Sequence, residues 1–315
     1  MRWLDRLLAA CAALVVLVSL LPLGARLSWL LDLTTHFRVQ YLATAVVLLA
    51  LVALRRRWRL TAALALAAIV SALPLLPYLP WPSAAGTTTA SAPLKVLSVN
   101  VSYRQFSARR LLTLVRETSP DVLVVQELTP YAAEVLADLD STFAYQLKFP
   151  AEGPYGIALW SRLPLEGAQL FALGRLPAIE ARVRSPTGVF TVIGVHLSSP
   201  STPRRAAARD EELRQLGERS AAVAGPLLVA GDFNLTPYSP RFTDWLAASG
   251  LTDTRRGRTL SVSWPAVLPI LGIPIDHVAV SSEFEIRAHH RFPDFGSDHY
   301  GLLVELALRD ATESP

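Results

Sequence analysis

Cysteine is almost absent from this chain. The one thiol among 315 residues is Cys11, inside the first apolar run. A disulfide framework is therefore excluded, as are a thiolate zinc site and a soluble thiol nucleophile. With one methionine as well, little remains for copper or redox chemistry. Gly-x-Ser-x-Gly, a Walker glycine loop and a Ser-His-Asp order are all missing, which removes nucleophile-elbow and P-loop chemistry. No internal repeat occurs. Residues 94–315 also lack a charge excess, with 22 Lys+Arg against 24 Asp+Glu. The basic balance of the whole chain comes from residues 1–93, where eight arginines face only Asp5 and Asp32. A near-neutral C-terminal part weighs against non-specific duplex binding, although a local patch remains open.

Apolar residues are abundant, at 51%, and mean hydropathy is positive at +0.34. That balance suggests a membrane part joined to a globular part. Three uncharged stretches open the chain, at 7–25, 39–54 and 60–81. A span needs about 20 apolar residues, with a lower limit near 17. The second stretch is short, but Phe37 and snorkelling arginines at its ends extend it. Leu23-Gly24-Ala25 leaves a cleaved signal peptide as the alternative for the first. Arg2, Arg6 and the Arg55-Arg56-Arg57-Trp58-Arg59 loop outweigh Arg26, Arg38 and Lys95 on the other side. The positive-inside rule then puts the N-terminus in the cytoplasm and the C-terminal part outside it. The expectation is a multi-pass protein of a bacterial-type inner or plasma membrane. It comprises an anchor over 1–82, a small-residue linker over 83–93, a catalytic domain over 94–309 and a tail over 310–315.

From Leu94 onward, seven segments read as strands: KVLSVNV, DVLVVQEL, YGIALWS, FTVIGVHL, PLLVAGDF, DHVAVS and YGLLVEL. Most are continuous apolar runs, as expected of strands covered on both faces. Helices are expected over 107–118, over 129–139 with a Thr129 cap and Pro130 in its first turn, and over 203–223. Polar residues stand at the strand ends: Asn100, Glu127, His196, Asp232 and Asn234 in GDFN, Asp276 in IDH, and Asp298 and His299 in GSDH. Strand ends are where a packed sheet presents such groups to one cleft. The carboxylates suit a hard divalent metal, and with the histidines they suit hydrolysis of a phosphate ester.

This ordered set, with GDFN and GSDH in strand context, resembles the endonuclease/exonuclease/phosphatase (DNase I-like) superfamily over about 94–308. The resemblance implies an α/β fold, a four-layer αββα sandwich preceded by about three transmembrane helices. It also implies Mg²⁺ or Mn²⁺ and phosphoester cleavage. The preceding spans, GDFNLTPYSPRF, SWP and IDHVAVS look like the membrane-anchored VanJ-type bacterial group, which is linked to dephosphorylation of undecaprenyl pyrophosphate. On these resemblances Glu127 holds the metal, with Asn100 and Asp298 beside it. Asp232 activates water, Asn234 and His196 contact the phosphate, and Asp276 orients His299. Taken singly, Glu127 is equally a solvated strand-end charge, Asp232 and Asn234 can be a turn as well as a site, and a lone strand-end histidine such as His196 is more often structural.

His277 reads as packing, and His289-His290 as a solvated pair. Arg204, Arg205 and Arg209 read as a solvated helical face beside Asp210, Glu211 and Glu212, with an anionic substrate at the cleft mouth as the alternative. Trp264, Pro265, Leu268, Ile270 and Leu271 form an apolar loop suited either to a membrane interface or to lid packing. Three functions follow. The first is a membrane-anchored, Mg-dependent phosphoesterase acting on a lipid-linked phosphate or pyrophosphate. The second is an extracytoplasmic nuclease, which keeps nucleic acid as a partner. The third is a non-enzymatic membrane module. The bilayer and a phosphorylated lipid or other phosphoester are the expected partners, with no obligate protein partner.

Overall fold

The computed structural model describes residues 2–81, 93–292 and 295–309. The expected tail, and all of the expected linker except Pro93, lie outside them. Four helices come first: α1 (Arg2–Leu20), α2 (Trp29–Thr34), α3 (Arg38–Leu54) and α4 (Trp58–Ala72). They build three stretches long and apolar enough to cross a membrane, Trp3–Gly24, Trp29–Leu54 and Trp58–Tyr78. The second is longer than the sequence suggested, because α2 and the turn Thr35–Phe37 run into α3. Asp32 and Arg38 interrupt its apolar run, yet both are buried against protein. The bundle interior is a small cluster around Ala12, Val52 and Leu64. Leu14, Val47 and Leu66 face outward, the pattern of helices whose solvent is lipid. Asp5 pairs with Arg55 at 2.7 Å, which puts the N-terminus and the arginine loop at one end of the bundle.

Two six-stranded mixed sheets follow. The first has the order β11 (Phe284–Arg291), β12 (Leu302–Leu308), β1 (Leu94–Asn100), β2 (Val122–Gln126), β4 (Ile157–Ser161), β3 (Tyr145–Phe149). The second runs β5 (Leu165–Leu173), β6 (Leu176–Ser185), β7 (Gly188–His196), β8 (Leu227–Asp232), β10 (Asp276–Val280), β9 (Thr252–Asp253). Within each sheet one central pair is parallel, β1 with β2 and β7 with β8. Val96, Val124, Val192, Leu228, Val278 and Val304 fill the space between the sheets. Outside the first sheet pack α5 (Ala108–Thr118), α6 (Pro130–Val135) and α7 (Leu139–Thr142). Outside the second pack α8 (Pro203–Ala222) and α9 (Pro240–Ser249). This is the expected four-layer arrangement. Thr129 does cap α6, accepting from the Ala132 amide at 3.0 Å. The single helix expected over 129–139 instead ends at Val135 and resumes at Leu139.

Five strands were not read from the sequence: β3, β5, β6, β9 and β11. Several are edge or hairpin strands with a wet face, so no continuous apolar run marks them. Two readings are corrected. His289 is buried and bonds Thr254 Oγ1 at 2.9 Å, while His290 is exposed. Neighbours on a strand face opposite sides, so both cannot be solvated where one side is covered. Arg209 is not on a solvated face. It is fully buried and its Nη2 donates to Asp32 of the helical bundle at 2.9 Å. Glu212 is buried one turn further on.

Asp32 joins the bundle to the sandwich. Its carboxylate also accepts from Ser239 Oγ at 2.5 Å and lies 3.3 Å from Arg241. Arg241 donates to the Ala25 carbonyl at 2.8 Å. Tyr78 packs on Tyr238, and Gly257 N–H donates to the Pro77 carbonyl at 2.8 Å. Removing one partner of a buried ion pair strands the other. Asp32→Ala should therefore destabilise the detergent-solubilised protein by about 3–5 kcal/mol. Asp5→Ala, in a partly exposed pair, should cost about 1 kcal/mol or less. Thermal unfolding of the two variants side by side checks this order.

Candidate active site

The inter-sheet face changes character at one end of the sandwich. Strand side chains alternate, so every second residue faces the other sheet. Along β1 that face reads Val96, Ser98, Asn100. Along β7 it reads Phe190, Val192, Gly194, His196. Along β8 it reads Leu228, Ala230, Asp232, and from the start of β10 it reads Asp276, Val278, Val280. Each row turns polar at the same end because the register aligns the strands. His196 stands opposite Asp232 on the parallel partner, and Asp276 stands opposite Asp232 on the antiparallel one. Asn100 pairs with Gln126, and Glu127 follows directly.

Local backbone fixes these groups. Glu127 has φ +62°, Ser102 +53° and Asn234 +50°, a region that costs a non-glycine residue about 1–3 kcal/mol where the surroundings enforce it. Glu127 and Asn234 line the cleft, and the Ser102 amide holds Asn100 beneath it. Gly231 of GDFN is required sterically, since a Cβ there would lie 1.9 Å from the Val195 carbonyl oxygen. Gly156 is likewise pressed on the Leu128 carbonyl, which accepts from Ala151 and so holds the turn after Glu127.

The side chains form one network. Asn100 Nδ2 donates to Glu127 Oε1 and to Asp232 Oδ2, each at 3.1 Å. Its Oδ1 accepts from the Ser102 amide at 2.9 Å, so the amide oxygen is already engaged. In this arrangement Asn100 braces two carboxylates. Tyr103 N–H donates to Glu127 Oε2 at 2.8 Å. His196 Nδ1 meets the Pro154 carbonyl at 3.0 Å, which turns Nε2 toward Asp232 at 3.6 Å and Glu127 at 3.8 Å. Asn234 donates to the Leu197 carbonyl at 2.9 Å and stands 3.5 Å from His196 Nε2. His299 Nδ1 lies 2.9 Å from Asp276 Oδ2, and its Nε2 lies 3.8 Å from Asp232. Asp298 is half-buried on the cleft wall and accepts from Trp264 Nε1 at 3.1 Å. All eight expected site residues thus converge, with Asp276 and Asn100 beneath a cleft of about 550 Å³ that the other six line.

Electrostatics sets their charge states. Burial disfavours the His299 imidazolium, but Asp276 beside it, with Asp232 and Asp298, outweighs burial and lifts its pKa to about 10. Burial and the nearby Asp276 charge raise Asp232 to about 6, against the pull of His299 and His196. Asp276 is buried too, yet His299 and Ser263 hold it below the usual carboxylate range. The two acids are thereby driven apart, one kept charged and one poised to exchange a proton.

Several supporting residues went unread. Ser263 Oγ accepts the Ile275 and Asp276 amides at 2.9 and 3.0 Å. Glu212 accepts from Ser198 N–H and Oγ, both at 2.7 Å, and so pins the loop after His196. A signal for the α8 pair did exist. Ala206, Arg209, Leu213, Leu216 and Ser220 recur at helical spacing and mark a buried face. His277 packs 4.1 Å from the Phe242 ring and bonds the Leu235 carbonyl, as its reading as a packing residue expected. Arg205 lines the cleft, and Arg204 is exposed.

Oxygen donors dominate the cleft floor. Among the described residues, Asp232, Asp276 and His299 place potential ligand atoms within 4.8 Å of one another. A hard divalent cation fits such donors. Glu127 is the better anchor for one, because Asp276 and His299 already neutralise each other.

Comparison with known proteins agrees with this geometry. Curated sequences gave no match. Solved structures gave many. An endonuclease/exonuclease/phosphatase from Beutenbergia cavernae DSM 12333 is 23% identical, with a TM-score of 0.55 over 70% of this chain and 72% of its own. D. rerio TDP2 complexed with single strand DNA product is 15% identical, with a TM-score of 0.60 over 69% of this chain and 99% of its own. Sphingomyelinase C from Streptomyces griseocarneus is 17% identical, with a TM-score of 0.52 over 68% of this chain and 99% of its own. At these identities the likeness is one of fold. The family model for the Endonuclease/Exonuclease/phosphatase family matches residues 97–299, well over half of the sequence. The chain belongs to the Endonuclease/Exonuclease/phosphatase family.

Proposed function

We propose that this chain is a membrane-anchored, divalent-metal-dependent phosphoesterase that hydrolyses a lipid-linked phosphate or pyrophosphate outside the cytoplasm. Residues 1–82 serve as the anchor and 94–309 as the catalytic domain. The observation that carries the reading is Asp232, buried between a charged His299–Asp276 pair and the Asn100–Glu127 pair, on the floor of an open cleft.

Glu127 would hold the metal, with Asp298 as a second oxygen donor and Asn100 bracing the set. Mg²⁺ or Mn²⁺ there would supply Lewis-acid charge to the phosphate. Asp232, lifted toward neutrality, takes a proton from the attacking water. The water oxygen bonds to phosphorus while the bond to the leaving oxygen breaks. His299, kept cationic by Asp276, points Nε2 into the same space and stabilises the charge that builds on the pentavalent phosphorus. His196 and Asn234 contact the phosphate or the leaving oxygen. Nucleic acid is the second reading, favoured by the DNA-bound TDP2 fold and by Arg104 and Arg205 on the cleft. The net charge of residues 94–315 opposes it.

Glu127→Gln should abolish turnover of bis(p-nitrophenyl) phosphate while leaving the folded spectrum intact, because a neutral amide holds Mg²⁺ poorly. Turnover that survives in EDTA would refute the metal requirement.

Asp232→Asn should lower kcat by about 10² or more, the usual scale of a lost general base. His299 must be protonated to act, and its raised pKa keeps it so until pH climbs through about 10. Activity should therefore hold through mildly alkaline pH. Asp276→Asn removes the largest interaction that raises His299, so the alkaline limb should slide toward the ordinary imidazole range. An unmoved limb in the kcat–pH profile counts against His299 as the group.

The arginine loop and the sandwich lie at opposite ends of the helical bundle. A periplasm-active alkaline phosphatase fused after Pro315 should be active, and a cytoplasm-only reporter silent. The reverse pattern would favour a nucleotide or nucleic-acid substrate.

A further inference from the structure

One rim of the cleft is apolar and, among the described residues, left uncovered. Trp264 and Ile273 pair as an isolated antiparallel bridge, so residues 265–272 leave and return at one point. Between them Val267 and Ile270 are 77% and 78% exposed, and Leu268 and Leu271 are exposed as well. Four large aliphatic side chains in water oppose the hydrophobic effect, and a contiguous patch of this kind marks a contact surface. The loop is nevertheless firmly held. Ala266 N–H donates to the Asp298 carbonyl at 2.8 Å, and Tyr300 Oη donates to the Ala266 carbonyl at 3.0 Å. Trp264 Nε1 reaches the Asp298 carboxylate. An exposed, apolar loop tied by these bonds, with Trp264 at its base lining the cleft, is not a disordered remnant.

Its position names the partner. Gln40 Nε2 donates to the Gly272 carbonyl at 2.9 Å, and Gln40 lies in the first turn of α3, inside the second candidate span. The loop is therefore level with the end of a helix whose outer surface lipid would cover. Facing the cleft from the same bundle are Leu33, His36 and Phe37. The cleft thus has catalytic acids and imidazoles on its floor, Arg104 and Arg205 on its wall, and apolar edges on the side of the spans.

We propose that Val267, Leu268, Ile270 and Leu271 insert into the outer face of the bilayer crossed by the anchor. The cleft between this loop and the Leu33–Phe37 turn then receives a phosphate carried at that same surface. The occupant is lipid because the Gln40–Gly272 bond fixes the loop beside the first turn of α3, within the candidate span Trp29–Leu54. The second half rests on the lipid-phosphate reading above. The anchor is then more than a tether, since it supplies one wall of the substrate's entrance.

The test uses the full chain in lipid vesicles. In a Cys11→Ser background, Ile270→Cys carries a nitrobenzoxadiazole label, with Thr187→Cys as the control. Thr187 precedes β7, whose other end is His196, and at about 3.3 Å per residue it sits far from the cleft. The label at 270 should be quenched by spin-labelled lipid and shielded from aqueous iodide, and the label at 187 should show the opposite. Iodide quenching as strong at 270 as at 187 overturns the insertion. Separately, Val267→Ser with Ile270→Ser should lower the ratio of turnover on vesicle-borne undecaprenyl pyrophosphate to that on bis(p-nitrophenyl) phosphate. The fall should be at least about tenfold, the scale of two aliphatic side chains losing burial. An unchanged ratio overturns the substrate-entrance half. Should the unmutated protein cleave the soluble diester but no vesicle-borne phosphate, the lipid-substrate reading fails, while the quenching result still decides the fate of the loop.

Discussion

Two sheets share one dry interior, and that interior ends in charge. The packing constraint is strict, because a residue between two sheets has no access to water. An apolar side chain at every second position is the simplest way to satisfy it. Val96, Val124, Val192, Leu228 and Val278 do so. Two or four residues further along the same face stand Asn100, Gln126, His196, Asp232 and Asp276. They hold positions that the strand period assigns to the interior, at the end where the sheets admit solvent. Site and core are therefore one alternating pattern, and the parallel pairing of β7 with β8 brings His196 level with Asp232.

Burying three carboxylates and two imidazoles together would be costly without mutual compensation. Asp276 and His299 neutralise each other. Ser263 adds its hydroxyl to the amides at the start of β10, and Asn100 ties Asp232 to Glu127. Asp232 lies beside the Asp276 charge, and burial together with that charge raises it. Asp232 lines the cleft, beside Glu127. Strain points the same way. Glu127 and Asn234 hold positive φ without glycine's freedom, which is tolerable only because neighbouring bonds enforce it.

Much of this was legible in the sequence for a physical reason. Central strands covered on both sides read as unbroken apolar runs, and polar residues at their ends stand out against them. All eight candidate residues lay at such ends or in the adjoining loops. Legibility failed where the environment is mixed. β3 and β5 expose most of one face, so their composition is that of loops. In α8 the charged residues Arg209 and Glu212 occupy a buried face that composition alone marks as wet. Their helical spacing with Ala206, Leu213 and Leu216 is a signal the solvated-face reading passed over, and their partners, Asp32 and Ser198, lie in other parts of the chain. Long-range pairing of this kind leaves no local trace. The Asn100 amide shows a finer limit. Its place at a strand end was readable, whereas the commitment of its oxygen to the Ser102 amide depends on a turn with positive φ.

The α8 pair also joins two parts of the molecule that the sequence reading kept separate. Arg209 reaches back to Asp32 at the end of the helical bundle, and Glu212, three residues on, holds the loop that follows His196. Three residues along an α-helix span about 4.5 Å, so the contact with the bundle and the support of a site histidine lie within one rigid turn. A shift of the bundle against the sandwich would have to break the buried Asp32 network or carry α8 with it. Rigid helices transmit displacement with little loss, because packed interiors deform poorly. Through Arg209 and Glu212, α8 therefore links the seating of the bundle to the loop that follows His196, joined at Asp32.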